Sequence, residues 1–310
     1  TSVTYLSPVG MLGAGFTESY FHEAMENHPV DFVAVDSGST DGGAINLGAD
    51  KPFNSREALK RDLRILLLST RKAEIPFLVG SAGGSGGSWN LNYIADIVRE
   101  IAAEESLSFR LATIDAEPSR EVLVERFREG RIHALSHAPA INEETLTDTH
   151  RIVAMMGAEP FIKALEAGAD VILAGRASDA ALFSAYALWK GLTPGPVWHA
   201  AKIMECGGAA VAQMTRPEGM VCTVTDEYCQ LEPVASHALY ETANPFRMQE
   251  PSGAMLLDNV RYEQVNERAV RVSGSQFEES EYTVKLEGAA FMGYRSQVFG
   301  GITDPVILRD

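Results

Sequence analysis

FLVGSAGGSGGS, residues 77–88, decides the fold. A short apolar run passes directly into a turn of glycines and serines, and a stretch of helical periodicity begins at Asn90. A buried strand, a tight turn and a helix in that order make a βα unit, the building block of a parallel sheet. The same order recurs on both sides of it. Strands are expected at 3–6, 32–36, 77–80, 109–114, 133–135 and 171–174, with helices at 18–26, 56–73, 90–105, 119–129 and 160–166. Repeated units of this kind predict an α/β fold: a three-layer sandwich around a mainly parallel, Rossmann-like sheet.

Beyond Asp179 the pattern changes. AALFSAYALW (180–189) reads as an apolar helix, and WHAAKIMECGGAAVAQM (198–214) as a second one whose small residues permit close packing; both are expected to be buried. VCTVTD (221–226), RVSGSQ (271–276) and EYTVKLEGAA (281–290) then read as strands separated by turn residues. The expectation is an α/β domain over 1–218 followed by a smaller α+β or β-rich lobe over 219–310. That lobe ends on the apolar run GGITDPVILRD, as if truncated at its C-terminus.

Composition narrows the function classes. Of 310 residues, 42 are acidic and 26 basic, a formal charge of −16 that repels nucleic-acid phosphates and anionic bilayers alike. Neither is expected as a partner. Cys206, Cys222 and Cys229 form no CxxC pair, which fits a reducing cytoplasm rather than a disulfide framework. No apolar run is long enough to span a bilayer, and TSVTYLSPVG lacks the features of a secretory signal. A cytoplasmic protein taking a small-molecule carboxylate or acyl-CoA is expected.

Three turns that follow expected strands carry the candidate chemistry, because ligands of parallel sheets sit at the carboxyl ends of the strands. In the first, VDSGSTDGG (35–43), Asp36 and Asp41 are candidate catalytic carboxylates, and Ser37 and Ser39 candidate substrate contacts. The alternative is a surface turn in which Asp36 and Ser39 bond nearby amides. In the second, Ser81, Gly83, Gly84, Ser85 and Gly86 precede a helix N-terminus, where backbone N–H groups can hold a phosphate or carboxylate. It matches neither GxGxxG nor a P-loop. In the third, AGRASD (174–179), Arg176 is a candidate clamp for a carboxylate, with Ser178 and Asp179 beside it. Alternatively Arg176 and Asp179 pair with each other.

A fourth group lies on one helix: His199, Lys202, Glu205 and Cys206. Glu205 or His199 is placed to move a proton, with His199 also a candidate substrate contact, whereas a helix cysteine is commonly an inert small hydrophobe. His133 and His137 have His-x3-His spacing without an accompanying carboxylate trio, so no metal site is expected. His237 and Glu241, four apart, are read as structural.

The ordered set VDSGSTDGG, VGSAGGSGG, ILAGRASDAALF, WHAAKIMECGGAA and YTVKLEGA resembles the acyclic terpene utilisation family, AtuA, over essentially the whole chain. The resemblance implies a cytoplasmic protein of catabolic operons, linked to degradation of citronellol- and geraniol-derived acids as CoA thioesters. Carried onto matching positions, it marks Asp36, Ser39, Asp41, Ser81, Ser85, Arg176, Asp179 and Glu205. Family members usually continue past the point where this chain ends. They also carry a longer passage between Pro233 and the segment containing His237 and Glu241.

The leading expectation is a lyase or hydratase acting on a carboxylate or acyl-CoA, with no cofactor evident beyond a CoA thioester carried by the substrate. One alternative is a hydrolase or transferase using Ser37, Ser39, Ser81 or Ser85, although no GxSxG elbow is present. The other is a non-catalytic accessory subunit supporting an acyl-CoA carboxylation pathway. A homo-oligomer packed through Gly207, Gly208, Ala209 and Ala210 is compatible with each.

Overall fold

Side chains along a strand alternate between the two faces of a sheet, so a strand apolar at every position needs a core on each side. The computed structural model describes residues 1–38, 44–136, 138–205, 219–232, 244, 246–294, 296–297, 300–301 and 309. The first half runs β1 (Ser2–Ser7), α1 (Glu18–Asn27), β2 (Phe32–Asp36), α2 (Ile45–Gly48), α3 (Arg56–Lys72), β3 (Phe77–Gly80), α4 (Ser88–Glu104), β4 (Leu111–Ile114), α5 (Arg120–Arg128) and α6 (Glu143–Asp148). It continues with β5 (Arg151–Ala154), α7 (Glu159–Glu166), β6 (Val171–Ala174), α8 (Ala181–Trp189), α9 (Pro194–Met204), β7 (Met220–Thr225) and β8 (Tyr228–Glu232). The remaining strands are β9 (Arg247–Glu250), β10 (Gly253–Leu256), β11 (Arg261–Gln264), β12 (Val270–Ser273), β13 (Gln276–Glu279) and β14 (Leu286–Ala289).

The architecture is mixed α/β around a nine-stranded sheet of order β11-β12-β8-β7-β1-β2-β3-β6-β4. β1 is the pivot: it pairs parallel with β2, Tyr5 beside Phe32, and antiparallel with β7, Tyr5 beside Cys222. From β1 through β2, β3 and β6 to β4 every pairing is parallel; from β1 through β7, β8 and β12 to β11 every pairing is antiparallel. Val33, Val35, Val79 and Leu173 face a core with Phe21, Leu63 and Ile94 of α1, α3 and α4. Phe32, Ala34, Leu78 and Ile172 face a second core with Phe161, Phe183 and Trp198 of α7, α8 and α9.

Local signals explain the helices. Ser55 caps α3 by accepting the Ala58 N–H, Glu57 sits in the first turn, and Arg71 and Lys72 close the last, each favourable to the helix dipole. Its buried face is Leu59, Leu63, Leu66 and Leu67, and full burial of each such side chain contributes about 1.5–3 kcal/mol.

Two strand expectations are corrected. Residues 133–135 form no strand and are exposed: three residues among polar neighbours offer too little apolar surface to hold an edge. The strand in this region is β5, and it pairs antiparallel with β14 outside the large sheet, Val153 beside Glu287. Within 281–290 only Leu286–Ala289 is extended in a ladder. Past residue 219 the large sheet continues, with β7 pairing along all of β1. The separate three-stranded sheet is β13-β10-β9. Among the described residues no helix is long and apolar enough to cross a membrane.

Candidate functional site

β2, β3 and β6 are consecutive parallel neighbours, so the turns that follow them emerge side by side at one rim. Backbone bonds lock the turns together. Ser37 N–H donates to Gly80 O (3.0 Å), Ser81 N–H to Gly175 O (3.1 Å) and Arg176 N–H to Gly86 O (2.9 Å). Gly83 N–H donates to Ser37 Oγ (3.1 Å). Glycine is required by this approach: a Cβ on Gly86, whose φ is +67°, would lie 2.2 Å from Arg176 N, and one on Gly38 would lie 1.9 Å from Gly84 O.

A fourth turn, after β1, joins them. Leu12 N–H donates to Asp36 O (2.8 Å), and the buried Asp62 carboxylate accepts from Gly13 N–H (2.9 Å) and Gly15 N–H (3.1 Å). The signal for it was present in MLGAG, a glycine-rich turn directly after an apolar strand.

The side chains of the rim make a buried, acid-rich cluster. Asp36 is 6% exposed; its Oδ2 accepts from Gly38 N–H (3.2 Å), and its buried Oδ1 has no hydrogen-bond partner among the described residues. Burial raises the Asp36 pKa well above the carboxylate range, the negative charges of Asp179 and Glu205 add to the shift, and Arg176 offsets it only in part. Its surroundings therefore favour the protonated form of Asp36 more than water does. Lys202 and Glu205 form an ion pair nearby on α9 and its C-terminal cap.

Arg176, 4% exposed, has its donors engaged by the protein: Nε and Nη2 reach Glu287 Oε2 (2.8 Å) and Oε1 (3.4 Å), and Nη1 reaches Ser81 Oγ (3.1 Å) and Asp179 Oδ1 (3.2 Å). Burial disfavours its charge, but Asp179 and Glu287 more than compensate and leave the guanidinium above its ordinary pKa. The pairing of Arg176 with Asp179, the alternative at sequence level, is present. The expected carboxylate clamp is occupied from within by Glu287, a residue of the YTVKLEGA stretch to which sequence reasoning gave no role at the site.

The glycine-rich turn also differs from expectation. Its Gly83 and Gly84 N–H groups are bonded inside the protein, and residues 80–87 are buried, Ser85 included. At the start of α4 stand the chain's own carboxylates: Asp115 Oδ1 accepts from Ser88 Oγ (2.7 Å), and Glu117 Oε1 lies 3.0 Å from where a Cβ of Gly87 would be. Those acidic groups occupy the positive end of the helix that was expected to receive an external anion.

His199 points elsewhere. Its Nδ1 contacts Ser275 Oγ (2.6 Å) and its Nε2 contacts Tyr262 OH (3.3 Å), partners on the antiparallel side of the molecule. Burial lowers its pKa to about 4, which favours the neutral ring, and the contacts that hold it are those of Ser275 and Tyr262.

Sequence reasoning missed Glu250. β9 carries this residue from the small sheet to the rim, where Ser178 Oγ donates to its Oε2 (2.5 Å). Burial raises its pKa to about 7; Asp179 and Glu159 push the same way, while the Ser178 hydrogen bond and Lys202 oppose. Ser39, Asp41, His137, Cys206, Gly207, Gly208, Ala209, Ala210, His237 and Glu241 lie outside the described residues. Among the described residues no group of three or more His, Cys, Asp or Glu is arranged to hold a metal ion.

The fold is a mixed α/β protein whose adjacent parallel strand ends bring together a buried aspartate, a tethered arginine and further carboxyls. The chain belongs to the acyclic terpene utilisation family, AtuA, whose model matches residues 13–214 and 198–308. Comparison with curated proteins and with solved structures found no match.

Proposed function

We propose that this chain is a catabolic enzyme of acyclic terpene utilisation, a lyase or hydratase acting on a carboxylate or acyl-CoA. The observation that carries the reading is Asp36: a buried carboxyl at the meeting point of the strand-end turns, with Oδ2 anchored, Oδ1 without a partner among the described residues, and surroundings that raise its pKa. A buried carboxyl whose protonated form is favoured can protonate a departing hydroxide, and the same group in reverse takes a proton from water during hydration. Arg176 supplies the compensating charge, and exchange of Glu287 for a substrate carboxylate would give it a direct grip. A CoA thioester belongs to the substrate in this reading, and a cytoplasmic homo-oligomer is the form in which we expect it to act.

The hydroxyls favour this reading over a serine nucleophile. Ser81 Oγ accepts from Arg176 Nη1 (3.1 Å) and Ala177 N–H (3.4 Å), and Ser37 Oγ accepts from Gly83 N–H; both are engaged as structural acceptors, and among the described residues no histidine is bonded to either.

The test is turnover of 3-hydroxy and α,β-unsaturated acids and their CoA thioesters by wild-type protein and Asp36→Asn. Turnover lost on the order of 100-fold in the variant, with folding intact, supports the proposal. Equal turnover in both removes Asp36, and covalent capture of the wild type by a fluorophosphonate would favour the serine-dependent class. Co-purification with a carboxylase and no turnover would favour an accessory subunit.

A further inference from the structure

The reading above gives no role to the second buried carboxyl of the rim. Glu250 is 8% exposed, and the geometry around it is that of a positioned acid rather than of a packed surface glutamate. One oxygen, Oε2, is fixed by Ser178 Oγ at 2.5 Å; the other, Oε1, accepts no hydrogen bond from a described residue. The groups that face it are Ser178 and Asp179 from the turn after β6, Glu159 at the start of α7 and Lys202 of α9. Lys202 is itself ion-paired with Glu205. Burying a carboxyl without a direct cation is costly unless the group is neutral, and a purely structural role at this position would be filled at lower cost by glutamine.

Asp36 and Glu250 thus share a design: each is buried, has one anchored oxygen and one oxygen without a bond to a described residue, and lies in the field of Asp179. They arrive from different sheets, one on β2 and the other on β9.

We propose that Glu250 is a second proton-transfer group of this site, oriented by Ser178, and that it acts on the acidic C–H beside a substrate carbonyl. The proposal rests on the lyase or hydratase reading and divides its labour. In a 3-hydroxyacyl thioester, ionised Glu250 takes the α-proton, and the electrons of that C–H bond form the Cα–Cβ double bond. The Cβ–O bond breaks, and the departing hydroxide takes the Asp36 proton and leaves as water. Glu250 then returns its proton to solvent and Asp36 regains one, so the net change is loss of water. A pKa near 7 keeps both forms of Glu250 populated at neutral pH, as a base that must recover its starting state requires.

The experiment is exchange of the α-hydrogens of 3-hydroxybutyryl-CoA, and of its 3-methyl homologue, in D2O. Exchange needs only the base, whereas net dehydration also needs the acid. Wild type, Glu250→Gln, Glu250→Asp and Ser178→Ala are compared across pH. Expected are exchange by the wild type with a rising limb centred near pH 7 and a loss on the order of 100-fold in Glu250→Gln. Glu250→Asp should restore part of the rate, and Ser178→Ala should move the limb to higher pH, since the ionised form loses a donor. Exchange with no dehydration in the wild type would defeat the lyase reading and leave Glu250 as the base. An unchanged rate and limb in Glu250→Gln, or no exchange by the wild type, would overturn the proposal.

Discussion

Arg176 Nε and Glu287 Oε2 stand 2.8 Å apart, and this ion pair ties the turn after β6 to β14, a strand of a different sheet. Both side chains are largely withdrawn from water, 5% and 13% exposed. Removing one partner of a buried pair leaves the other charge uncompensated, which costs about 3–5 kcal/mol. Glu287→Ala should therefore lose stability of that order in urea unfolding, while Glu287→Gln, which keeps a hydrogen-bond acceptor, should lose less. A change below about 0.5 kcal/mol in Glu287→Ala would show that Asp179 and Ser81 satisfy the guanidinium without it.

Gly86 and Gly130 have nearly the same backbone, φ +67° and +70°, but different surroundings. A Cβ at Gly130 meets nothing within 4 Å, so Gly130→Ala should cost only the left-handed conformation, about 1 kcal/mol. At Gly86 the same atom would fall 2.2 Å from Arg176 N, and the turns after β3 and β6 would have to separate. Gly86→Ala should be destabilised by several times as much as Gly130→Ala, or fail to fold. Melting temperatures of the two variants decide it.

Glu250 makes stability depend on pH in an unusual direction for a carboxyl. Its folded pKa, about 7, lies above the ordinary 4.5, so the folded state binds the extra proton. Its stabilising contribution is full below about pH 4.5 and is lost as pH rises through 7, a change on the order of 3 kcal/mol. Glu250→Gln should flatten this part of the profile and be the more stable protein at pH 8. Parallel profiles for the two proteins would remove the buried, neutral glutamate.

His199 should act in the opposite sense. Its folded pKa, about 4, lies below the ordinary 6.5, so stability is full above 6.5 and is lost as pH falls toward 4. Between 4.5 and 6.5 the two residues oppose one another, and the wild-type profile alone will conceal both. Imidazole NMR signals of His199 that remain those of a neutral ring at pH 5.5 would confirm the assignment; a midpoint near 6.5 would contradict it.

Much of this was legible in the chain itself. FVAVD, FLVG and VILA are apolar at nearly every position, which calls for strands covered on both faces, and their observed limits agree with the pattern. The short β5, the isolated run at 133–135 and the pairing of β14 were not legible, because four residues carry too little periodic signal to separate a ladder from a loop. Glu250 lies in a strand of ordinary polarity with no neighbour in sequence that marks it, and Glu287 lies in a family-like stretch that says nothing of its partner Arg176.

The sequence by itself determined the units: which runs must be buried strands, which helices cover them, and that turns rich in glycine, serine and aspartate follow. Family membership also followed from the order of those turns. Only the tertiary structure decided that β2, β3 and β6 are neighbours, that the helix end after the glycine turn is met by Asp115 and Glu117, and that β9 and β14 bring Glu250 and Glu287 to Ser178 and Arg176. The physical reason is range: alternation and turn chemistry act between adjacent residues, whereas the charge of a buried carboxyl depends on groups the chain delivers from a hundred residues away.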